Sequence, residues 1–410
     1  MAKKKETSTK KKDTKKKDTK SKEAPKKEAS VEERIKNVRI SLLKNFGTNA
    51  VMEGTDLEKC DFGRISTGSI KLDVELGGGI PIGRIIQIAG EKSDGKSTIS
   101  DLIASNAQKQ TIEWEWTKRT VDKGREVVET IPRKVEGLIV GFLDAEGHKT
   151  IDWTRDVLGV DTDRWIYTQP SGAEEAFDLA HQMQLDGVNL IVLDSIDSIV
   201  PTKLYEKDFN DSAQMGIKPK LIGDYVRKFT MTNNKLFREG KLPCTLILIN
   251  QTRDKIGAYG DPTFTPGGKA IGFYSSIDLR LRKGDWITEG TGENKVIVGQ
   301  VIKFKTQKNK TYKQQRTGEF DFYFDSTLDG QHEIGSIDNF KAIVILGIEY
   351  GIIERAGAWF KYKGQNLAQG SENTITYLKH NIEVYNEIKD KLFKLIKEEE
   401  EQIREEANND

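Results

Sequence analysis

The fold is decided by one stretch of the chain, which reads IIQIA over residues 85–89 and continues into Gly90, Glu91, Lys92, Ser93, Asp94, Gly95, Lys96, Ser97 and Thr98. The apolar run predicts a buried strand, and the apolar spacing over residues 99–107 predicts a helix. Between them lies the pattern G-x-x-x-x-G-K-[ST], which is typical of a loop that binds phosphate groups. Its glycines let backbone N–H groups point at phosphate oxygens, and the helix adds the positive end of its dipole. Residues 90–98 are therefore predicted to bind a nucleoside triphosphate.

Ser97 of this loop and one distant carboxylate form a predicted metal site, and Lys96 is predicted to act on the phosphates. Lys96 is expected to neutralise the β- and γ-phosphates, and the hydroxyl of Ser97 is expected to ligate Mg²⁺. The apolar run at 190–193 ends in Asp194. An acid at the carboxyl end of a strand beside such a loop can hold the metal through water. Mg²⁺ is therefore a predicted cofactor.

Two other apolar runs also end in polar side chains that suit hydrolysis. The run at 138–143 is followed by Glu146, and the run at 246–249 is followed by Gln251. A carboxylate at a neighbouring strand end can orient and deprotonate the attacking water. From spacing alone, an ordinary solvated loop acid is an equal alternative for Glu146. The amide of Gln251 could contact the γ-phosphate and pass its presence to the following loop.

The four apolar runs at 85–89, 138–143, 190–193 and 246–249 do not alternate with polar residues. This pattern indicates an α/β domain whose sheet is covered on both faces. Further strand-like runs, expected to extend the sheet, lie at 277–281, 296–304 and 320–324. Residues 111–133 alternate around a Lys-Gly turn and predict an inserted β-hairpin with Trp114 and Trp116 on one face. Those rings either pack on the domain or form a protein or DNA contact surface.

Two loops carry candidate nucleic-acid contacts. The loop at 253–269 interleaves basic and aromatic residues among four glycines, a composition that suits single-stranded nucleic acid. Its candidate residues are Arg253, Lys255, Tyr259, Gly267 and Gly268. The loop at 203–216 is mixed in charge and does not indicate DNA by itself, but Lys220 and Arg227 follow it on a predicted helix.

The overall composition excludes several classes of protein. Lys and Arg number 65 against 64 Asp and Glu, and no apolar run approaches the roughly 18 residues of a membrane span. The Lys-rich N-terminus lacks the apolar region typical of a secretory signal, and the two cysteines lie far apart, so we expect a cytoplasmic protein without disulfides or structural zinc. Residues 1–30 form a Lys-rich arm that is predicted to be disordered, and residues 398–410 form an acidic tail.

These motifs together resemble the bacterial RecA recombinase family, over about residues 33–397. The resemblance is carried by the phosphate loop and by the segments ISTGS at 65–69, GRII at 83–86, DAE at 144–146, LDS at 193–195, INQ at 249–251 and, most specifically, AGAWFKYKG at 356–364.

The resemblance implies a RecA-like P-loop ATPase core at 61–330, an N-terminal segment at 31–60 whose helix docks on the next subunit, and a small α+β domain at 335–397 that captures duplex DNA. It also implies that the acidic tail restrains access to DNA. The expected activity is DNA-dependent ATP hydrolysis coupled to homologous pairing and strand exchange in a helical filament on single-stranded DNA. The expected partners are single- and double-stranded DNA, further copies of the chain, and repressor or mediator proteins.

By resemblance, Glu146 is expected to activate water, and Gln251 to couple the γ-phosphate to the DNA loop. Lys303 and Lys305 are expected to reach the neighbouring subunit's ATP, since residues i and i+2 of a strand share a face. Tyr259 takes the place of a side chain inserted between bases.

The chain also departs from the family pattern. Gly272 replaces a usual Lys, and the segment at 147–153 is one residue longer than usual. The Lys-rich arm and the hairpin are additions, which suggest a divergent member encoded by a phage or an unusual bacterium. Two alternative functions are a ring-forming RecA-fold motor such as a replicative helicase and a nucleotide-gated DNA-coating protein without turnover.

Overall fold

The computed structural model of the chain describes residues 30–205, 216–254, 263–264, 269–328 and 330–409. The helices are α1 (Val31–Phe46), α2 (Gly54–Lys59), α3 (Ile70–Leu76), α4 (Lys96–Lys109), α5 (Ala173–Leu185), α6 (Thr202–Tyr205), α7 (Ile217–Arg238), α8 (Lys269–Tyr274), α9 (Asn339–Glu349), α10 (Ser371–His380) and α11 (Ile382–Asn409). The strands are β1 (Arg64–Ile65), β2 (Ile80–Pro81), β3 (Ile85–Gly90), β4 (Thr111–Asp122), β5 (Arg125–Glu136), β6 (Val140–Asp144), β7 (Trp165–Thr168), β8 (Leu190–Asp194), β9 (Thr245–Gln251), β10 (Arg253–Asp254), β11 (Thr263–Phe264), β12 (Ile277–Glu289), β13 (Val296–Asn309), β14 (Thr317–Tyr323), β15 (Glu354–Ala356), β16 (Trp359–Tyr362) and β17 (Gln365–Gln369).

A central sheet of eight strands has the order β14-β13-β12-β3-β9-β8-β6-β7. The strands from β12 to β7 pair in parallel, and β13 and β14 add an antiparallel edge. Helix α4 packs on one face, where Ile99 and Ile103 join the core, and α5 and α7 pack on the other through Phe177 and Phe229. The predicted α/β fold with a sheet covered on both faces is confirmed, as is the extension of the sheet by the later strands.

This topology gathers the predicted site residues. Parallel strands end at the same edge of their sheet, and β3, β9, β8 and β6 are consecutive neighbours. The phosphate loop, Gln251, Asp194 and Glu146 therefore follow the same edge.

Residues 111–133 lie within a hairpin formed by β4 and β5. Trp114 and Trp116 are only 7% and 5% exposed and belong to the core of the main domain. Packing therefore accounts for both rings. Farther along the hairpin, the buried Arg119 forms ion pairs with Glu53, Asp56 and Glu126, which join the hairpin to the segment after α1.

Helix α1 begins after Ser30, whose hydroxyl accepts a hydrogen bond from the backbone of Glu33. Its apolar side chains at Val31, Ile35 and Val38 are more than half exposed. The described residues therefore cover less than half of each of these side chains. The docking of this helix on another subunit remains a prediction.

The C-terminal segment builds its own core from α9, α10, α11 and the small sheet β15-β16-β17. The strand-sized apolar run at 342–348 lies in helix α9. Helix α11 continues beyond residue 398, the predicted start of the acidic tail. Glu399 accepts hydrogen bonds from Tyr312 and Lys313 on the main domain. No helix among the described residues has the length and apolarity to cross a membrane.

Candidate functional site

The phosphate loop is held by a contact within itself and by a contact with β12. The buried carboxylate of Asp94 accepts a hydrogen bond of 2.6 Å from the backbone of Glu91 and one of 3.0 Å from the backbone of Lys283 on β12. Gly95 has φ +82°, a conformation that side chains rarely adopt, and it leads directly into α4. The loop is therefore held in shape from both sides.

Lys96 turns back into the loop, where its Nζ donates to the carbonyl of Glu91 at 2.5 Å. Burial lowers the pKa of Lys96, and the nearby Asp94, Asp194 and Glu146 act in the opposite direction. A partly desolvated cation that lies within the phosphate loop is well placed to receive phosphate oxygens, because partial burial strengthens its attraction for them.

The two predicted metal contacts meet directly. The hydroxyl of Ser97 donates to Oδ2 of Asp194 at 2.6 Å. Burial raises the pKa of Asp194 to about 6, although the hydrogen bond from Ser97 opposes the shift. A hydroxyl and a carboxylate are hard oxygen donors of the kind that Mg²⁺ takes beside substrate phosphates. The pair therefore fits the predicted cation.

Glu146 is not an isolated loop acid. Its Oε1 accepts hydrogen bonds from Ser195 at 2.7 Å, Ser198 at 2.9 Å and Gln251 at 3.2 Å. Burial acts to raise the pKa of Glu146, but these hydrogen bonds and the charge of Lys96 hold it below its ordinary value. The carboxylate is thus ionised, and its second oxygen receives none of these hydrogen bonds. The sequence analysis named both Glu146 and Gln251 as site residues, but it did not predict the hydrogen bond between them or the two contacts from the serines.

The loop that carries Glu146 is anchored by Asp144 at its start and by Lys149 three residues after Glu146. Asp144 accepts hydrogen bonds from the backbone of Glu146, Gly147 and Lys149 and from the hydroxyl of Tyr167.

The side chain of Lys149 forms a buried ion pair with Asp101 on α4 and lies 4.0 Å from the ring centroid of Phe142. This ion pair was not predicted. The segment then forms a π-helical turn at Trp153–Val157, and such a turn accommodates an extra residue.

Lys303 and Lys305 are exposed on one face of β13, on either side of the buried Phe304. Lys305 is opposite Arg280, which in turn is opposite Ala89, the residue before the phosphate loop. The predicted pair therefore lies near the phosphate loop of its own chain.

A second pair, Lys308 and Lys310, lies where β13 ends, on either side of its last residue, Asn309. Lys308 donates to the carbonyls of Gly272 and Ser275 at 2.6 and 2.7 Å, and Lys310 donates to that of Phe273.

The candidate DNA contacts are only partly described. Lys220 is exposed near the start of α7, and Arg227 on the same helix pairs with Asp224. Arg253 lies in β10, which pairs with β11, but its side chain is outside the described residues, as are Lys255, Tyr259, Gly267 and Gly268 in full.

A strand, a glycine-rich loop with Lys96 and Ser97, and an acid at the end of another parallel strand of the same sheet define a P-loop nucleotide-binding protein. The chain matches the family described as the RecA N-terminal domain over residues 31–116 and 125–329, and the RecA C-terminal domain over residues 342–397. Residues 117–124, at the tip of the β4–β5 hairpin, fall between the matched segments.

The curated relatives agree with this match. Protein RecA of Frankia casuarinae is 35% identical over 364 residues, which cover 88% of this chain and 92% of the relative. Protein RecA of Geobacter sulfurreducens is 34% identical over 88% of this chain and 95% of its own length. Protein RecA of Mesomycoplasma hyopneumoniae is 33% identical over 90% and 96%. The chain belongs to the RecA family, and it is a nucleotide-hydrolysing recombinase of DNA recombination and repair.

Proposed function

We propose that the chain is a DNA-dependent ATPase that uses ATP with Mg²⁺, forms helical filaments on single-stranded DNA and catalyses homologous pairing and strand exchange. The observation that carries the ATPase assignment is the meeting of Lys96, the Ser97–Asp194 pair and the Glu146–Gln251 pair at one edge of the sheet. The C-terminal match to the RecA family supports a recombinase over a ring-forming motor.

In this proposal the backbone of the phosphate loop and the N-terminus of α4 bind the phosphates, and Lys96 exchanges the carbonyl of Glu91 for a phosphate oxygen. Bound between Ser97 and Asp194, Mg²⁺ would neutralise charge on the phosphates. Glu146 takes the proton of the attacking water on Oε2, because Oε1 is already occupied by three donors.

Gln251 links this chemistry to DNA. Its amide contacts Glu146, and its chain continues into the predicted DNA loop at 253–269. A γ-phosphate that draws this amide away from Glu146 would reposition the start of that loop. Conversely, DNA that moves the start of this loop would shift the amide of Gln251 and change its hydrogen bond to Glu146.

A neighbouring subunit would complete the site with positive charge, as an arginine finger does. The sequence prediction assigns this role to Lys303 and Lys305. Because a head-to-tail filament contact joins two different surfaces, the charge should come from a surface away from the chain's own phosphate loop. Lys308 and Lys310 meet that condition better, since they lie farther from the phosphate loop, where β13 ends at Asn309.

The main test is ATP turnover with and without single-stranded DNA, with Glu146→Gln alongside. DNA should stimulate the parent strongly, and the variant should bind ATP but lose about 10²-fold or more in turnover. Asp152→Asn is the matched control, because Asp152 is on the same segment and its side chain is 82% exposed. Equal turnover with and without DNA would contradict the proposal. Closed hexamers that unwind duplex DNA would support the helicase instead.

Mixing experiments decide which lysines act across the interface. The purified Lys96→Ala protein is mixed with the Lys303→Ala/Lys305→Ala protein in one experiment and with the Lys308→Ala/Lys310→Ala protein in another. If a lysine pair acts in trans, the Lys96→Ala subunit supplies it to the intact phosphate loop of the neighbouring lysine variant, and ATP turnover returns on mixing. A pair that acts within its own chain gives no recovery.

A further inference from the structure

The two serines that hold Glu146 belong to a turn that also contacts helix α7. Ser195 and Ser198 both donate to Oε1 of Glu146, and their hydroxyls are 2.8 Å apart. The turn is fixed at one end by the hydrogen bond from the backbone of Ile196 to the carbonyl of Ile249 on β9. Ser198 is thus a polar neighbour of the proposed base that sequence analysis did not identify.

At its other end, this turn is contacted by a side chain of α7. Nζ of Lys218 donates to the carbonyl of Asp197 at 2.6 Å. Lys218 is the second residue of α7, and α7 begins directly after the loop at 203–216. Lys218 is half-buried, whereas Lys220 is exposed, as expected for helix positions two residues apart that face different directions.

We propose that Ser198 is a positioning residue for Glu146, and that Lys218 connects it to the start of α7, so that DNA bound beside α7 alters the orientation of the carboxylate. The inference rests on the proposed role of Glu146. The chain of contacts is short: Lys218 to the carbonyl of Asp197, then one residue to Ser198, then Glu146. A shift of the turn by about 1 Å would lengthen the 2.9 Å bond from Ser198 beyond hydrogen-bonding distance.

This connection is separate from the one through Gln251, because it reaches Glu146 from β8 rather than from β9. It makes the start of α7 a second route from DNA to the nucleotide. The two routes converge on the same oxygen, Oε1 of Glu146.

The test uses the full chain with Ser198→Ala, Ser198→Thr, Lys218→Met and the double variant Ser198→Ala/Lys218→Met. At saturating single-stranded DNA, Ser198→Ala should lower kcat about three- to tenfold, the value of one hydrogen bond, with KM for ATP unchanged. Ser198→Thr keeps the hydroxyl and should restore kcat. Lys218→Met should lower the ratio of DNA-stimulated to unstimulated turnover, while Lys235→Met, an exposed control on the same helix, should not.

The double variant tests the connection itself. If Lys218 acts through Ser198, the double variant is no slower than the slower single variant; if the two losses multiply, the connection is wrong. Unchanged kcat in Ser198→Ala, with Glu146→Gln inactive, overturns this inference and leaves the proposed function intact. Full turnover in Glu146→Gln overturns both. A loss in Ser198→Thr equal to that in Ser198→Ala would also contradict a role for the hydroxyl.

Discussion

Lys149→Met should destabilise the main domain, because it leaves the carboxylate of Asp101 buried without its cation. The side chains of Lys149 and Asp101 are only 7% and 5% exposed. The remaining side-chain donor to Asp101 is the hydroxyl of Thr154, at 3.3 Å. Methionine keeps the unbranched apolar stem of lysine, so the substitution removes mainly the charge.

The magnitude follows from the burial of the pair. Removing one partner of a buried ion pair costs about 3–5 kcal/mol. A domain of this size loses roughly 2 °C in Tm for each kcal/mol, so the Tm should fall by about 6–10 °C. Burial already raises the pKa of Asp101, and loss of Lys149 would raise it further. The deficit should therefore shrink as the pH is lowered and the carboxyl takes up a proton.

Thermal unfolding without nucleotide, followed by circular dichroism at neutral pH, measures this effect. Asp101→Leu/Lys149→Met should recover most of the lost stability, because it buries no charge. Arg155→Met, which removes an exposed ion pair with Asp156, should change the Tm by about 1 °C or less. A Tm for Lys149→Met within 2 °C of the parent, or a double variant no more stable than Lys149→Met, would refute the reasoning.

Two further predictions concern the hairpin and the proposed base. In urea unfolding, Gly240→Ala should destabilise the chain by about 2 kcal/mol more than Gly187→Ala. Both glycines have positive φ, but only at Gly240 would an added Cβ meet the ring of Trp116, at 2.5 Å. Equal losses of stability in the two variants would show that the hairpin does not pack there. In Ser198→Ala the acidic limb of the kcat–pH profile should move to higher pH, because removal of a hydrogen bond to the carboxylate raises the pKa of Glu146, and an unmoved limb would contradict this account.

The sheet and the site edge were predictable because their signals are local. Each parallel strand is a short apolar run, and the residue that matters chemically follows directly after it, as Asp194 follows 190–193. Once the strands are parallel, their carboxyl ends must share an edge. The proximity of Glu146 and Gln251, which are 105 residues apart, follows from that rule together with the strand order, in which only β8 separates β6 from β9.

The side-chain network around the site was not predictable in the same way. Asp101 and Lys149 are polar residues that composition assigns to the surface, yet they bury each other across 48 residues of sequence. The ion pairs of Arg119 with Glu53 and Asp56 are another example. A charged residue carries no sequence mark of burial, because its partner comes from tertiary packing and not from periodicity.

The lysines of β13 show that a sequence pattern predicts the face of a strand on which a residue lies but not its position in the sheet. A period of two correctly places Lys303 and Lys305 on one exposed face, but it says nothing about which end of the sheet they occupy. That depends on register, and the pairing of Lys305 with Arg280 sets it beside the chain's own phosphate loop. Lys308 follows at the far end of the same strand and pairs with Asp278. A residue that acts on a neighbouring subunit must therefore be sought by its position along the strand as well as by its face.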